Sequence, residues 1–192
     1  VLDASGSMGL DGRLEMSRNS IAEFVRQLGP QDRFDVMTFN LWPKILFSDL
    51  HAADEASLEA AAQFLSSQEA RGGTLLRPAI LAAYKYASAD RPLNVVILSD
   101  GLTDQNERQE IPELIRSRPD GTRVFCIGVG NDVNRGLLSQ IAEGSGGLAA
   151  FLSGQDDMQR QAKAFHRKLL RPAADNLRIE LKGAEVYDVE PK

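Results

Sequence analysis

Apolar positions along this chain alternate between two spacings. Leu14, Ile21, Phe24, Val25 and Leu28 share one helical face, and Pro30 stops that helix. Residues 34–39 read as a strand and residues 45–50 as another. Too few residues separate them for a parallel crossover, so the pair is expected to form an antiparallel hairpin. Leu58, Ala61, Ala62 and Leu65 mark a second helix, and Leu76, Ile80 and Ala83 a third. Residues 95–98 and 124–129 are apolar runs suited to central strands of a parallel sheet, buried on both faces. Ile111, Leu114 and Ile115 fit a helix between them; Leu137, Leu138 and Ile141 fit one after them, ending near Gly144. Residues 148–152 read as a last strand. Met158, Ala162, Phe165 and Leu169 give a final helix, stopped by Pro172.

This alternation predicts an α/β fold: a doubly wound, mostly parallel, Rossmann-like sheet with one antiparallel edge strand. It fills residues 1–171. From residue 172 the rhythm changes. Leu177, Ile179 and Leu181 alternate with charged residues at period two, so residues 172–192 read as the start of a following β domain. The chain opens on Val1-Leu2-Asp3, already at a strand end and without a Met, and is expected to be a fragment truncated in its first strand.

Composition narrows the function. Of 192 residues, 43% are hydrophobic and 26% charged, which suits a folded globular domain. The net charge is −5 with no basic stripe, which argues against nucleic acid as partner. No apolar run approaches the ~18 residues of a membrane span. The single cysteine, Cys126, rules out an internal disulfide and a thiolate metal cluster and reads as an inert core thiol. His51 and His166 are too far apart in sequence to suggest a histidine site.

The candidate chemistry lies in three loops expected at the carboxyl rim of the sheet, where open α/β folds bind ligands. They are Asp3-Ala4-Ser5-Gly6-Ser7, Gly72-Gly73-Thr74 and Ser99-Asp100-Gly101. Together they offer two carboxylates, Asp3 and Asp100, and the hydroxyls of Ser5, Ser7 and Thr74. An all-oxygen set suits a hard cation such as Mg²⁺. The plain alternative is that serines and glycines after a strand form only a turn or a helix N-cap.

With these five residues in order, the chain resembles a von Willebrand factor type A domain, and the five resemble its metal-ion-dependent adhesion site. The stretch from Arg123 to Asn134, with Leu137 to Gly147 after it, is similar to the inter-α-trypsin inhibitor heavy chains and their bacterial relatives, in which a VIT domain precedes the A domain. The resemblance implies a non-enzymatic module that binds protein or matrix ligands through Mg²⁺, with Mn²⁺ or Ca²⁺ as substitutes. It implies that Ser5 and Ser7 bind the ion directly, Thr74 directly or through water, and Asp3 and Asp100 mostly through water. An Asp or Glu of the partner completes the shell. The resemblance leans towards a secreted or cell-envelope setting; the sequence leaves the compartment open.

Two other readings use the same atoms. In a phosphotransferase, Asp3 would be the nucleophile and Asp100 a Mg²⁺ ligand. Haloacid-dehalogenase enzymes are built this way, but they need a second acid two residues after the nucleophile, where this chain has Ser5. A metal-free scaffold domain would make the five positions incidental. Asp104 reads as a solvated loop acid and Asp11-Gly12 as a turn. Trp42, in the hairpin loop, is expected to pack over the sheet edge, with a role as exposed partner anchor as the alternative. Gly128 and Gly130 lack the third glycine of a dinucleotide fingerprint.

Overall fold

The computed structural model describes residues 1–153 together with 160, 164, 165, 167 and 168. Over residues 1–153 the strands and α-helices follow in the order β1 (Leu2–Asp3), α1 (Arg13–Arg26), β2 (Arg33–Phe34), β3 (Met37–Phe39), β4 (Pro43–Ile45), β5 (His51–Ala52), α2 (Glu55–Ser66), α3 (Leu76–Tyr84), β6 (Leu93–Ser99), α4 (Gln105–Arg116), β7 (Thr122–Val129), α5 (Arg135–Gly144) and β8 (Ala149–Leu152). The main sheet has the order β4-β3-β1-β6-β7-β8. All its pairings are parallel except β3 with β4, so the expected antiparallel edge is present.

Alternation along the strands divides the core into two layers. Leu98, Phe125 and Ile127 face Leu14, Ile21 and Val25 of α1. Val95, Ile97, Val124 and Cys126 face Ile80 of α3, Ile111 and Ile115 of α4, and Leu138 and Ile141 of α5. Each central strand is covered on both sides, the usual arrangement for a parallel sheet.

The two strands expected at 34–39 and 45–50 are corrected. The first splits at Asp35, whose carboxylate accepts the N–H groups of Val36 and Phe47 at 2.6 and 3.1 Å. A side chain that binds backbone donors competes with the ladder. Phe34 therefore belongs to a separate antiparallel pair with His51, while Met37–Phe39 joins the main sheet. In the second, only Ile45 stays paired with β3: Leu46 N donates to Val36 O at 3.0 Å, outside β3, and Phe47 N is taken by the Asp35 carboxylate. The residues expected to form a following β domain, 172–192, lie outside the described residues, as does most of the expected last helix, His166 included. Phe165 is described: it is buried, with its ring edge-on to Phe125 at 6.0 Å.

The strand order places a switch point beside β1, with β3 on one side and β6 on the other. Connections leave in opposite directions there, opening a crevice at the carboxyl ends of β1 and β6. Asp3 ends β1 and Asp100 follows β6. A cavity of about 560 Å³ lies at the other end of the sheet, among Phe24, Phe34, Asp35, Tyr86 and Arg123, and no candidate metal residue lines it.

Candidate metal centre

Backbone hydrogen bonds draw the three loops together. Gly6 N donates to Gly72 O and Arg71 N to Ala4 O, both at 2.9 Å, joining the first loop to the second. The Ser99 hydroxyl donates to Asp3 Oδ2 at 2.6 Å, joining the first to the third. The Thr103 hydroxyl shares its one proton between Glu107 Oε2, the nearer acceptor at 2.6 Å, and the Thr74 carbonyl at 3.1 Å, joining the third to the second.

Within this frame Asp3, Ser5 and Ser7 are in direct sequence of contact. Asp3 Oδ1 accepts the Ser5 N–H at 2.8 Å, and the Ser5 and Ser7 hydroxyls lie 3.3 Å apart. A short helical turn, Gly6–Gly9, begins after Ser5, yet the Ser5 side chain makes no capping bond to it. The N-cap alternative therefore does not account for Ser5. The Thr74 hydroxyl has no protein partner among the described residues. Ser7 and Thr74 are half-buried, whereas Ser5 is 1% exposed and Asp3 and Asp100 are wholly shielded.

Two carboxylates without solvent contact are costly unless their charge is met. Burial pushes the Asp3 carboxyl up to about 6; hydrogen bonds from Ser5 and Ser99 pull against this, and the charge of Asp100 adds to it. Asp100 Oδ1 accepts the Leu102 N–H at 3.0 Å, and its Oδ2 accepts from Arg13 at 3.1 Å. The donor set thus fits a divalent cation: buried negative charge, hydroxyls not committed to capping, and oxygen ligands throughout. Among the described residues no three His, Cys, Asp or Glu side chains gather as metal ligands, so any ion here depends on the serine and threonine hydroxyls.

Two residues that shape the site were not singled out in the sequence. Arg13 lies in the first turn of α1, 2% exposed, with its guanidinium on Asp100. Glu107, on α4, accepts the N–H groups of Leu76 and Arg77 at the start of α3 and the hydroxyl of Thr103. Each left a signal. Arg13 stands four and eight residues before Ser17 and Ile21, and Glu107 four and eight before Ile111 and Ile115, so both are charges on buried helical stripes.

The remaining candidates are placed as follows. Asp104 is the N-cap of α4, accepting the Asn106 N–H at 2.8 Å. Asp11 and Gly12 form the left-handed turn into α1. Trp42 is 72% exposed, which overturns the expectation that it packs over the sheet edge. Gly128, inside β7, and Gly130, just past its end, answer to packing. A Cβ on Gly128 would come within 2.5 Å of the Phe151 ring, and one on Gly130 within 2.6 Å of Arg13 Nε.

Comparison with known proteins agrees with the fold. The family model for the von Willebrand factor type A domain matches residues 1–151. Inter alpha-trypsin inhibitor, heavy chain 4 of Mus musculus is 27% identical over 98% of this chain, covering 21% of that protein. A von Willebrand factor A domain-containing protein of Dictyostelium discoideum is 26% identical over 94% of the chain and 19% of its own length. The chain thus spans about a fifth of these curated relatives. Among solved structures, a von Willebrand factor type A protein from Catenulispora acidiphila superposes with a TM-score of 0.70 at 20% identity, covering 86% of this chain and 40% of that one. Proximal thread matrix protein 1 from the mussel byssus, solved with a zinc-occupied MIDAS motif, gives 0.68 at 20% identity, covering 88% and 44%.

Proposed function

This chain belongs to the von Willebrand factor type A domain family, and from that premise we propose that it is a divalent-cation-dependent protein-binding module. The observation that carries the reading is the gathering of Asp3, Ser5, Ser7, Thr74 and Asp100 by three interlocked loops at the switch point of the sheet. Ser5, Ser7 and Thr74 would hold the ion, with Asp3 and Asp100 supplying charge from beneath, through water. Neutral hydroxyls leave such an ion electrophilic, so it takes a carboxylate from a partner and turns nothing over. The zinc in the mussel byssus protein supports a divalent ion at this place. An oxygen-only shell favours Mg²⁺, or Mn²⁺ or Ca²⁺, over zinc, which prefers nitrogen and sulfur.

The surroundings of the rim suggest the kind of partner. Leu10, Leu41, Trp42 and Leu102 are exposed large apolar side chains on the loops that frame the candidate ligands. Leu10 N donates to Ser7 O, Leu102 N donates to Asp100, and a Cβ on Gly73 would come within 3.1 Å of Leu41 Cδ2. A protein ligand presenting one Asp or Glu among apolar neighbours fits this collar, with Trp42 as an anchor.

The test is calorimetry with Mg²⁺ and Mn²⁺ on the wild type and on Ser5→Ala and Ser7→Ala, with folding checked by circular dichroism. Binding by the wild type that both folded variants lose supports the reading. A folded wild type that takes up neither ion at millimolar concentration sinks it. Metal-dependent hydrolysis of a phosphomonoester, abolished by Asp3→Asn, would replace it with the phosphotransferase reading.

A further inference from the structure

Arg13 occupies a position that ordinary helix chemistry disfavours. It is the first residue of α1, where the helix dipole repels a cation. It is 2% exposed, and its Nη1 donates to the wholly shielded Asp100 Oδ2 at 3.1 Å. Two other acids face the guanidinium, Asp11 at 3.5 Å and Asp132 at 4.0 Å, with side chains 72% and 92% exposed. Solvent screens those two, so Asp100 is the partner that counts.

The contact is not that of a guanidinium seated for its own hydrogen bonds. Arg13 Nε is buried without a partner, and the pairing with Asp100 is single rather than forked. Gly130 makes room for it. That residue has φ +108°, and a Cβ there would lie 2.6 Å from Nε. The end of β7 is thus shaped to admit a charge beside the candidate metal residues.

We propose that Arg13 is a built-in counter-cation that sets how strongly the rim takes its divalent ion, an inference that rests on the metal-binding function proposed above. In the metal-free chain Arg13 offsets one of the two buried carboxylates. An arriving 2+ ion meets charge already partly balanced, and it meets Arg13 as a like charge. Arg13 therefore stabilises the empty rim and weakens the filled one, keeping uptake reversible. Without it, Asp100 is a buried charge with no cation, which destabilises the metal-free fold and which the ion relieves. Loss of a purely structural ion pair would lower the stability of both forms equally.

The experiment compares thermal unfolding of the wild type, Arg13→Met and Arg13→Lys in chelator and in saturating Mn²⁺, with direct Mn²⁺ titration of each. Arg13→Met is expected to melt lower in chelator, to gain more from Mn²⁺ than the wild type does, and to bind Mn²⁺ about tenfold more tightly. Arg13→Lys keeps the charge and is expected to stay within about threefold of the wild type. Folding of Arg13→Met only when Mn²⁺ is present is the same result in stronger form. If it folds in neither condition, Arg13→Gln, which keeps an N–H donor without the charge, decides by the same comparison. A Mn²⁺-induced shift and affinity equal to or smaller than those of the wild type, in whichever neutral variant folds, overturn the proposal. A wild type that does not respond to Mn²⁺ overturns the metal-binding reading itself, and this inference with it.

Discussion

Glu107 on α4 caps α3 across the gap between the two helices, its Oε2 accepting the Leu76 N–H at 2.5 Å. The N-cap residue of α3, Leu75, has no side chain that can do this. Glu107 Oε1 takes the Arg77 N–H at 3.0 Å, and Oε2 also takes the Thr103 hydroxyl at 2.6 Å. One buried carboxylate thus satisfies two otherwise orphaned donors, places negative charge at a helix N-terminus and anchors the Thr74 loop through Thr103.

Glu107→Ala is therefore expected to lower stability by about 2–4 kcal/mol, through buried donors left unpaired. Thr103→Val should cost about 1 kcal/mol, and the double variant less than the sum, because the two share one network. Urea denaturation of the three variants checks this. Full additivity would show that Thr103 and Glu107 act separately.

Trp42 is the chain's only tryptophan, which makes it a reporter for the collar. Its fluorescence should be readily quenched by acrylamide in the free protein. Adding Mg²⁺ with a peptide that presents one Asp among aromatic or aliphatic neighbours should protect it. Trp42→Ala should leave stability within about 0.5 kcal/mol and Mg²⁺ uptake unchanged, while weakening the peptide. Peptide affinity untouched by the substitution would remove Trp42 from the binding surface.

Cys126 is fully shielded in the middle of β7, and burial pushes its thiol well above the ordinary range. A thiol reagent should leave the native protein unlabelled at pH 8 and react fully in denaturant, at a rate set by opening of the sheet. Prompt labelling of the native state would contradict this burial.

Tyr86 donates its phenol to Asp35 Oδ2 at 2.7 Å. Burial foremost, then the hydrogen bond and charge of Asp35, raise the phenol above its ordinary value. The folded state therefore holds this proton after the unfolded chain has lost it. Stability from this group is full below pH ~10 and is lost as pH rises through the folded value. Tyr86→Phe should be less stable at pH 8, yet decline less steeply above pH ~10. Parallel urea midpoints for the two proteins across pH 8–11 would contradict the assignment.

Much of this molecule was legible from one dimension. Helical spacing from Leu14 to Leu28 located α1, and the apolar runs around Val95 and Val124 located β6 and β7, because burial on one face or both imposes its period on the residues. The five candidate ligands were legible because each follows a strand or precedes a helix, at the rim that α/β order assigns to ligands. Where local chemistry opposed periodicity the reading slipped, as at Asp35, whose carboxylate draws ladder donors to itself.

Which charges meet was decided only by the tertiary structure. Arg13 and Asp100 stand 87 residues apart, and Glu107 lies 31 from Leu76, separations at which no spacing rule operates. Their pairing follows from the order β3-β1-β6, which sets the start of α1 beside the end of β6, and from the packing of α4 against α3. The exposure of Trp42 belongs to the same class. An aromatic side chain in a hairpin loop can turn inward or outward, and the outcome depends on whether neighbouring elements offer a surface to cover it. Periodicity reports the environment an element needs along its own length. It carries no record of what stands opposite, and that is where the chemistry of the rim is determined.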